Sequence, residues 1–273
     1  DYERLHLRRL CNMFQASLKA PPPGKWTEYP HPNHASIDSL FNRLNALNFL
    51  VPHLTATVVF IKEGEHDIQG YEREPAAAAA AEEAFEDALH EPYLRVKYAM
   101  KIIGAGRDKT FIQGGGFQIQ GAKEEGKKVV LKGMTTSNGG GSGLLNNNGL
   151  SFLCDSMTFT QCGCTGVFAR NTNGRLINCV ITQCRYSGLY CHSTTLIESL
   201  VELEGSQTKV EGNGTADNSG HYGLFSFEYS SIHLLYPLTK ESVSTHNHGG
   251  RNYCSLGTGI SGVIQTVDSF ELF

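Results

Sequence analysis

The chain has 273 residues, with 23 basic and 27 acidic side chains and a net charge of −4. This balance leaves no basic footprint for nucleic acid, and no apolar run approaches the ~20 residues that cross a membrane. The length fits one large solenoid or two smaller domains, and length alone does not choose.

The chain opens at Asp1 rather than Met with no signal-peptide pattern behind it, and reads as a fragment or a processed chain. Leu5, Leu10, Met13, Phe14 and Leu18, with basic residues between them, predict a short amphipathic helix over 2–18. Pro21-Pro22-Pro23-Gly24 ends it, and an extended, Pro-rich connector runs to Pro32. Ser36 is placed to N-cap a second helix through Leu40, Phe41, Leu44 and Leu47. Residues 1–34 are thus helix and connector, and 35–273 form the main domain. Its first strand, over Thr57 to Lys62, ends in Glu63-Gly64-Glu65-His66. Ala76 to Ala81, flanked by Glu82, Glu83, Glu86 and Asp87, favour helix. With almost no apolar face besides Phe85 and Leu89, the stretch around 72–91 reads as an acidic surface insertion, helical or disordered.

Strands over Met100 to Gly104 and Thr110 to Gln113 follow, around Gly104-Ala105-Gly106. Then the sequence repeats itself. Phe159-Thr160-Gln161-Cys162 and Gly166-Val167-Phe168 recur 22 residues later as Ile181-Thr182-Gln183-Cys184 and Gly188-Leu189-Tyr190. A fixed period in the low twenties marks the coils of a solenoid. Met157/Phe159 and Cys179/Ile181 alternate with Thr158/Thr160 and Val180/Thr182, the period of two of a strand with one face inward. Upstream, Met134-Thr135-Thr136 and Gly143-Leu144-Leu145 match at an offset of 23. Downstream, Thr208-Lys209-Val210 and Gly223-Leu224-Phe225 match once insertions are allowed, and Leu238 to Val243 is a weaker echo. Gly and Asn occupy the turns, where positive φ must be cheap. The predicted fold is an all-β parallel β-helix, and the apolar tail from Ile260 to Phe273 is expected to cover its last coil.

Cys162 and Cys184 hold the same place in successive coils, which reads as small, soft fillers of equivalent sites. Parallel Cβ vectors disfavour a bridge between them, so free thiols and a reducing, cytoplasmic setting are expected. Asn213-Gly214-Thr215 matches a glycosylation sequon by chance, inside a predicted turn.

Helix Ser36–Leu47, strand Val58–Ile61 with Glu63-Gly64-Glu65-His66, and Lys101-Ile102-Ile103-Gly104-Ala105-Gly106-Arg107-Asp108-Lys109-Thr110 together resemble the entry of a right-handed parallel β-helix of the pectin-lyase-like superfamily. The resemblance covers about 35–267 and implies an N-terminal helical cap over the coils. That superfamily includes lyases, hydrolases, epimerases, adhesins and non-catalytic modules. Leu10-Cys11-Asn12-Met13-Phe14 is similar to the closing helix of an F-box, which implies an adaptor partner through a missing N-terminal region. The enzymatic signatures are absent: there is no Asn-Thr-Asp, Asp-Asp, Gly-His-Gly or Asp-Pro-His, and Asp155 stands alone on its strand.

The register itself supplies a surface candidate. If Val167 and Leu189 point inward, then Phe168, Tyr190 and Phe225 point outward in one column. Asn147, Arg170, His192 and Phe227 form the next. Aromatic faces beside Arg, His and Asn suit a sugar ring. Arg170 would bind a uronate carboxylate and His192 would move a proton, which is the chemistry of β-elimination. The alternative is an exposed ladder covered by other parts of the chain or by a partner.

Other motifs read as structure. His246 and His248 would share a face if they lay on a strand, but they lack a third ligand for zinc and read better as polar turn residues at the end of the stack. Gly104 to Thr110 departs from phosphate-loop spacing and carries Asp108. Glu198, Glu202, Glu204 and Glu211 are a solvated edge rather than paired glycosidase acids. No cofactor is called for. Three functions follow: a non-catalytic recognition module for a protein partner or glycan, including substrate recognition in an F-box-type protein; a polysaccharide lyase or epimerase-like enzyme acting on uronate-rich glycans; and a structural or assembly protein.

Overall fold

A computed structural model of the chain describes residues 26–68, 93–137, 139–194, 199–216, 220–257 and 261–268. The predicted N-terminal helix, the acidic insertion and the last five residues lie outside the described residues.

The described strands form three sheets, each wholly parallel between neighbours. The first has nine strands and runs from Trp26–Tyr29 to Val263–Val267. The second has seven, from Gly64–Asp67 to Ser244–Thr245, and the third has seven, from Tyr93–Val96 to Tyr253–Leu256. The chain visits them in turn. Ser151–Asp155 lies in the first sheet, Thr158–Thr160 in the second and Val167–Arg170 in the third, and then Asn173–Ile177 opens the next coil. This is a parallel β-solenoid. Its ladder reproduces the sequence repeat, because Cys154 pairs with Leu176, Thr158 with Val180 and Val167 with Leu189.

Three bends per coil are needed to turn a strand from one sheet into the next. Equivalent corners carry single residues at positive φ: Asn148 and Asn171, Ser156 and Asn178, Gln161 and Gln183. One left-handed residue redirects the chain within a single step, at a cost of about 1–2 kcal/mol outside glycine. Side chains stack over these corners and offset part of that cost. Asn171 Nδ2 donates to Asn148 Oδ1 at 2.8 Å, and Gln161 Nε2 to Gln183 Oε1 at 3.3 Å. Glycine is required where coils close on one another: a Cβ at Gly166 would stand 2.2 Å from Ile181 Cγ2.

The bore is filled by one continuous apolar cluster running from Ile37 through Phe117, Phe159, Ile181 and Val210 to Val243. The helix Ile37–Leu50 starts at the predicted cap, where Ser36 Oγ accepts from Ser39 N at 3.2 Å and Ser39 Oγ from Ser36 N at 3.4 Å. It buries Ile37, Leu40, Phe41 and Leu44, and Phe41 meets Phe117 edge to face at 6.5 Å. Trp26–Tyr29, inside the stretch read as connector, forms a strand paired with Val58–Ile61. The weak echo after Leu238 is mostly not a strand. Thr239 and Ser242 make a capping box for the short helix Lys240–Val243, and only Ser244–Thr245 is extended. Val263–Val267 continues the first sheet. No described helix is long and apolar enough to cross a membrane.

Candidate functional site

The outer face of the third sheet carries the two columns named by the repeat. Leu145, Phe168, Tyr190 and Phe225 are register partners, and so are Asn147, Arg170, His192 and Phe227. Leu144, Val167, Leu189 and Leu224 before the first column, and Asn146, Ala169, Cys191 and Ser226 between the two, point into the bore and are fully buried. Alternation along four short parallel strands is thus what turns both columns outward.

The rings contact one another more closely than a lone surface ladder requires. Phe168 meets Tyr190 edge to face at 5.2 Å, and Tyr190 stacks on Phe225 at 4.9 Å with a 14° interplanar angle. His192 lies parallel to Tyr190 at 5.9 Å and meets Phe227 edge to face at 5.2 Å. Phe168 is buried in a small cluster with Tyr93 and Leu145. Tyr190 and Phe225, stacked across neighbouring strands, turn their faces on each other and leave their edges free. Ring edges carry the positive end of the aromatic quadrupole and attract oxygen.

A polar pair sits at the outer end of the second column. His192 Nε2 lies 3.7 Å from Glu228 Oε2, an ion-pair separation longer than a hydrogen bond. The two side chains are 15% and 21% exposed. Burial lowers the His192 pKa and the Arg170 guanidinium lowers it further, while Glu228 acts in the opposite sense. Burial pushes the Tyr190 phenol up to about 12. At neutral pH the surface therefore presents a neutral imidazole, a protonated phenol and a guanidinium. Glu228 is not among the sequence candidates. It occupies the corner just after Phe227, at φ 46, as Asn148 and Asn171 do after Asn147 and Arg170. The column register contains that signal.

The other sequence candidates lie elsewhere. His246, at φ 54, begins a corner rather than continuing a strand, and His248 starts a short 3-10 turn. Among the described residues no group of three His, Cys, Asp or Glu is placed to hold a metal ion. The turn after Gly104 is closed from within and by the next coil: Ala105 N donates to Thr110 Oγ1 at 2.8 Å and Gly106 N to Gly133 O at 2.9 Å. Arg107 reaches from there past the intervening corners at Gly133 and Ser156, donating to Asn178 O at 3.1 Å and, one coil further, to Gln207 Oε1 at 3.0 Å. Arg175 pairs with Glu204 at 2.8 Å and stands 3.7 Å from Glu202, on the first sheet. Glu198 lies outside the described residues. Asn213 of the sequon is fully buried, with its amide donating to Ile181 O and Asn247 Oδ1, so a sugar transferase cannot reach it in the folded chain.

No known protein family, curated protein or solved structure matches this chain.

Proposed function

We propose that this chain is a non-catalytic recognition module, and that the outer face of the third sheet receives an extended, oxygen-rich ligand such as an oligosaccharide. The observation that carries the reading is the unbroken pair of columns. Ring edges and the Tyr190 hydroxyl in one column, and the Asn147 amide and Arg170 guanidinium in the other, follow one another from strand to strand at the ~4.8 Å interstrand spacing. Such a strip offers an extended ligand polar contacts in successive coils, with little side-chain freedom left to lose on binding. The parallel solenoid supports a kinship with the pectin-lyase-like superfamily. The seven free cysteines among the described residues support a reducing, cytoplasmic setting, where substrate recognition for an F-box-type assembly would operate. Affinity electrophoresis through gels containing acidic or neutral polysaccharides tests the binding reading. Retardation by at least one glycan, weakened about tenfold by Arg170→Ala, is expected for the loss of one charge-assisted contact. Unaltered mobility in every gel would overturn it.

One observation favours a lyase-like enzyme as a second reading. His192 Nε2 is buried, 3.7 Å from Glu228 Oε2 and beyond hydrogen-bond length of it, beside Arg170 and the protonated Tyr190. Arg170 would neutralise a uronate carboxylate, His192 would remove the proton α to it, and the phenol would protonate the departing glycosidic oxygen. Appearance of unsaturated ends from polyuronate, lost in His192→Ala, would establish this reading over simple recognition.

A further inference from the structure

The outer face of the first sheet carries a cleft of about 390 Å³, apart from the columns on the third. Strand alternation builds its floor. Phe152 and Cys154 on one strand and Leu176 on the next turn into the bore, so Ser151, Leu153, Asn173 and Arg175 turn outward. Lys128 bounds one end of the cleft as the register partner of Ser151. Leu200 and Glu202 bound the other end as the partners of Asn173 and Arg175.

The two ends differ in charge. Lys128 forms no ion pair among the described residues. Arg175 is committed to Glu204, with Nε and Nη2 donating to Oε2 at 3.0 and 2.8 Å. It stands 3.7 Å from Glu202, beyond hydrogen-bond length, so that carboxylate keeps capacity for another cation. Donors line one edge between the ends. Leu200 N donates to Asn173 Oδ1 at 3.2 Å, which leaves Asn173 Nδ2 to donate into the cleft, and Ser151 stands between Asn173 and Lys128 in the same column. Leu153 and Leu200, each half-buried, supply apolar surface. From Lys128 to Glu202 is about 14 Å at the interstrand spacing, which an extended peptide covers in about four residues.

We propose that this cleft binds the last four residues of an extended peptide, with the terminal carboxylate held by Lys128 and Ser151. The carbonyl before it accepts from Asn173 Nδ2, an apolar last side chain packs on Leu153, and a basic residue at the far end meets Glu202. A carboxylate beside an ammonium makes charge-assisted bonds roughly twice as strong as neutral ones, so the free chain end is the main determinant of affinity. A fatty acid carries no acceptor for Asn173 and no cation for Glu202, and a uronate sugar carries no apolar side chain for Leu153. The inference does not depend on what the outer face of the third sheet binds.

The test follows the backbone amide resonances of Ser151, Leu153 and Asn173 in the full chain by NMR. The probes are the tetrapeptide Lys-Ala-Ala-Leu as the free acid, the same peptide as its C-terminal amide, and sodium octanoate. Expected are saturable shifts with the free acid and binding roughly tenfold weaker with the amide, for the loss of one charge-assisted contact. Lys128→Gln should weaken the free acid to the level of the amide and leave the amide itself unchanged. Equal affinities for acid and amide, shifts that do not saturate, or undiminished binding of the acid to Lys128→Gln would each overturn the proposal. Octanoate binding as tightly as the free acid would overturn it in favour of an acyl-chain carboxylate. Arg170→Ala should leave the titration intact, and a loss there would place the response on the columns instead of the cleft.

Discussion

At the scale of single residues, facing outward does not make a side chain dispensable. Tyr190 looks away from the bore yet is held between Phe168 and Phe225, with His192 alongside. Tyr190→Ala should therefore fold but lose about 1–2 kcal/mol, from two aromatic contacts and part of their burial. A denaturant midpoint equal to the parent's would show that the stack contributes nothing. Val167 is fully buried between register partners Leu144 and Leu189. Val167→Asp would place an unpaired carboxylate in the bore, at a cost of several kcal/mol. It should give a chain without a cooperative melt, and a soluble variant that melts sharply would contradict the inward assignment.

Two half-buried histidines set a pH dependence whose sign is fixed. Burial lowers the folded pKa of His192 and of His221, first among the causes in both. The unfolded value is about 6.5. Below it the unfolded chain takes up protons that the folded chain still refuses, so stability is whole above about pH 6.5 and falls as pH drops toward the folded values. Melting temperature should decline over that acidic window. The decline should be shallower in a His192→Gln/His221→Gln double variant, and identical slopes would refute the assignment.

At the scale of the element, the corners decide how regular the solenoid can be. After Cys162 and Cys184, the same corner position in the next two coils is taken by Asn213 and Asn247, both buried. Asn213 accepts from Cys184 N at 3.1 Å and donates to Ile181 O at 3.0 Å, while Asn247 Oδ1 accepts from Asn213 N at 3.0 Å and Asn247 Nδ2 donates to Val210 O at 3.1 Å. Asn213→Ala would orphan buried backbone groups and should cost about 1–3 kcal/mol. Asn213→Asp keeps the acceptor but loses the amide donor. Urea midpoints for the pair would rank the two halves of the contact, and no loss in either variant would mean that the ladder is idle.

These elements also show what a sequence of this kind reveals. Coils over 157–190 have no insertion, so their 22-residue spacing is the ladder register itself, and the spacing alone yields both outward columns. Ser36 marks its helix because a capping box is a local device. The corners are only partly legible. Asn at positive φ is a familiar signal, whereas Gln161, Gln183, Ser156, Glu228 and His246 adopt it because coil closure imposes it. His246 and His248, read from the sequence as polar turn residues at the end of the stack, do lie in such a corner. The stacking of His221 on Tyr186 is illegible: the corner that brings the two rings together is longer than its neighbours, so the period no longer aligns them.

At the scale of the whole molecule, the core is one cluster from the helix to Val243, yet each strand pairs only with its neighbours in the stack. Stability in such a stack is a sum of coil and interface terms, and its ends are its weakest points. The last described strands show this directly, with Tyr253, Leu256 and Val263 38%, 46% and 40% exposed. Leu176, in a central strand, is fully buried, whereas Ile264, in the last strand of the first sheet, is only partly buried. Leu176→Ala should cost about 2–5 kcal/mol and lower the hydrogen-exchange protection of every described coil, because it opens a cavity inside the continuous core. Ile264→Ala should cost about 1 kcal/mol and affect mainly Tyr253–Leu256 and Val263–Val267, whose amides open without the rest. Exchange read by mass spectrometry separates the two cases. Uniform loss of protection from both variants would mean that the solenoid opens only as a single unit, and graded loss would establish an end that frays independently of the coils carrying the candidate surface.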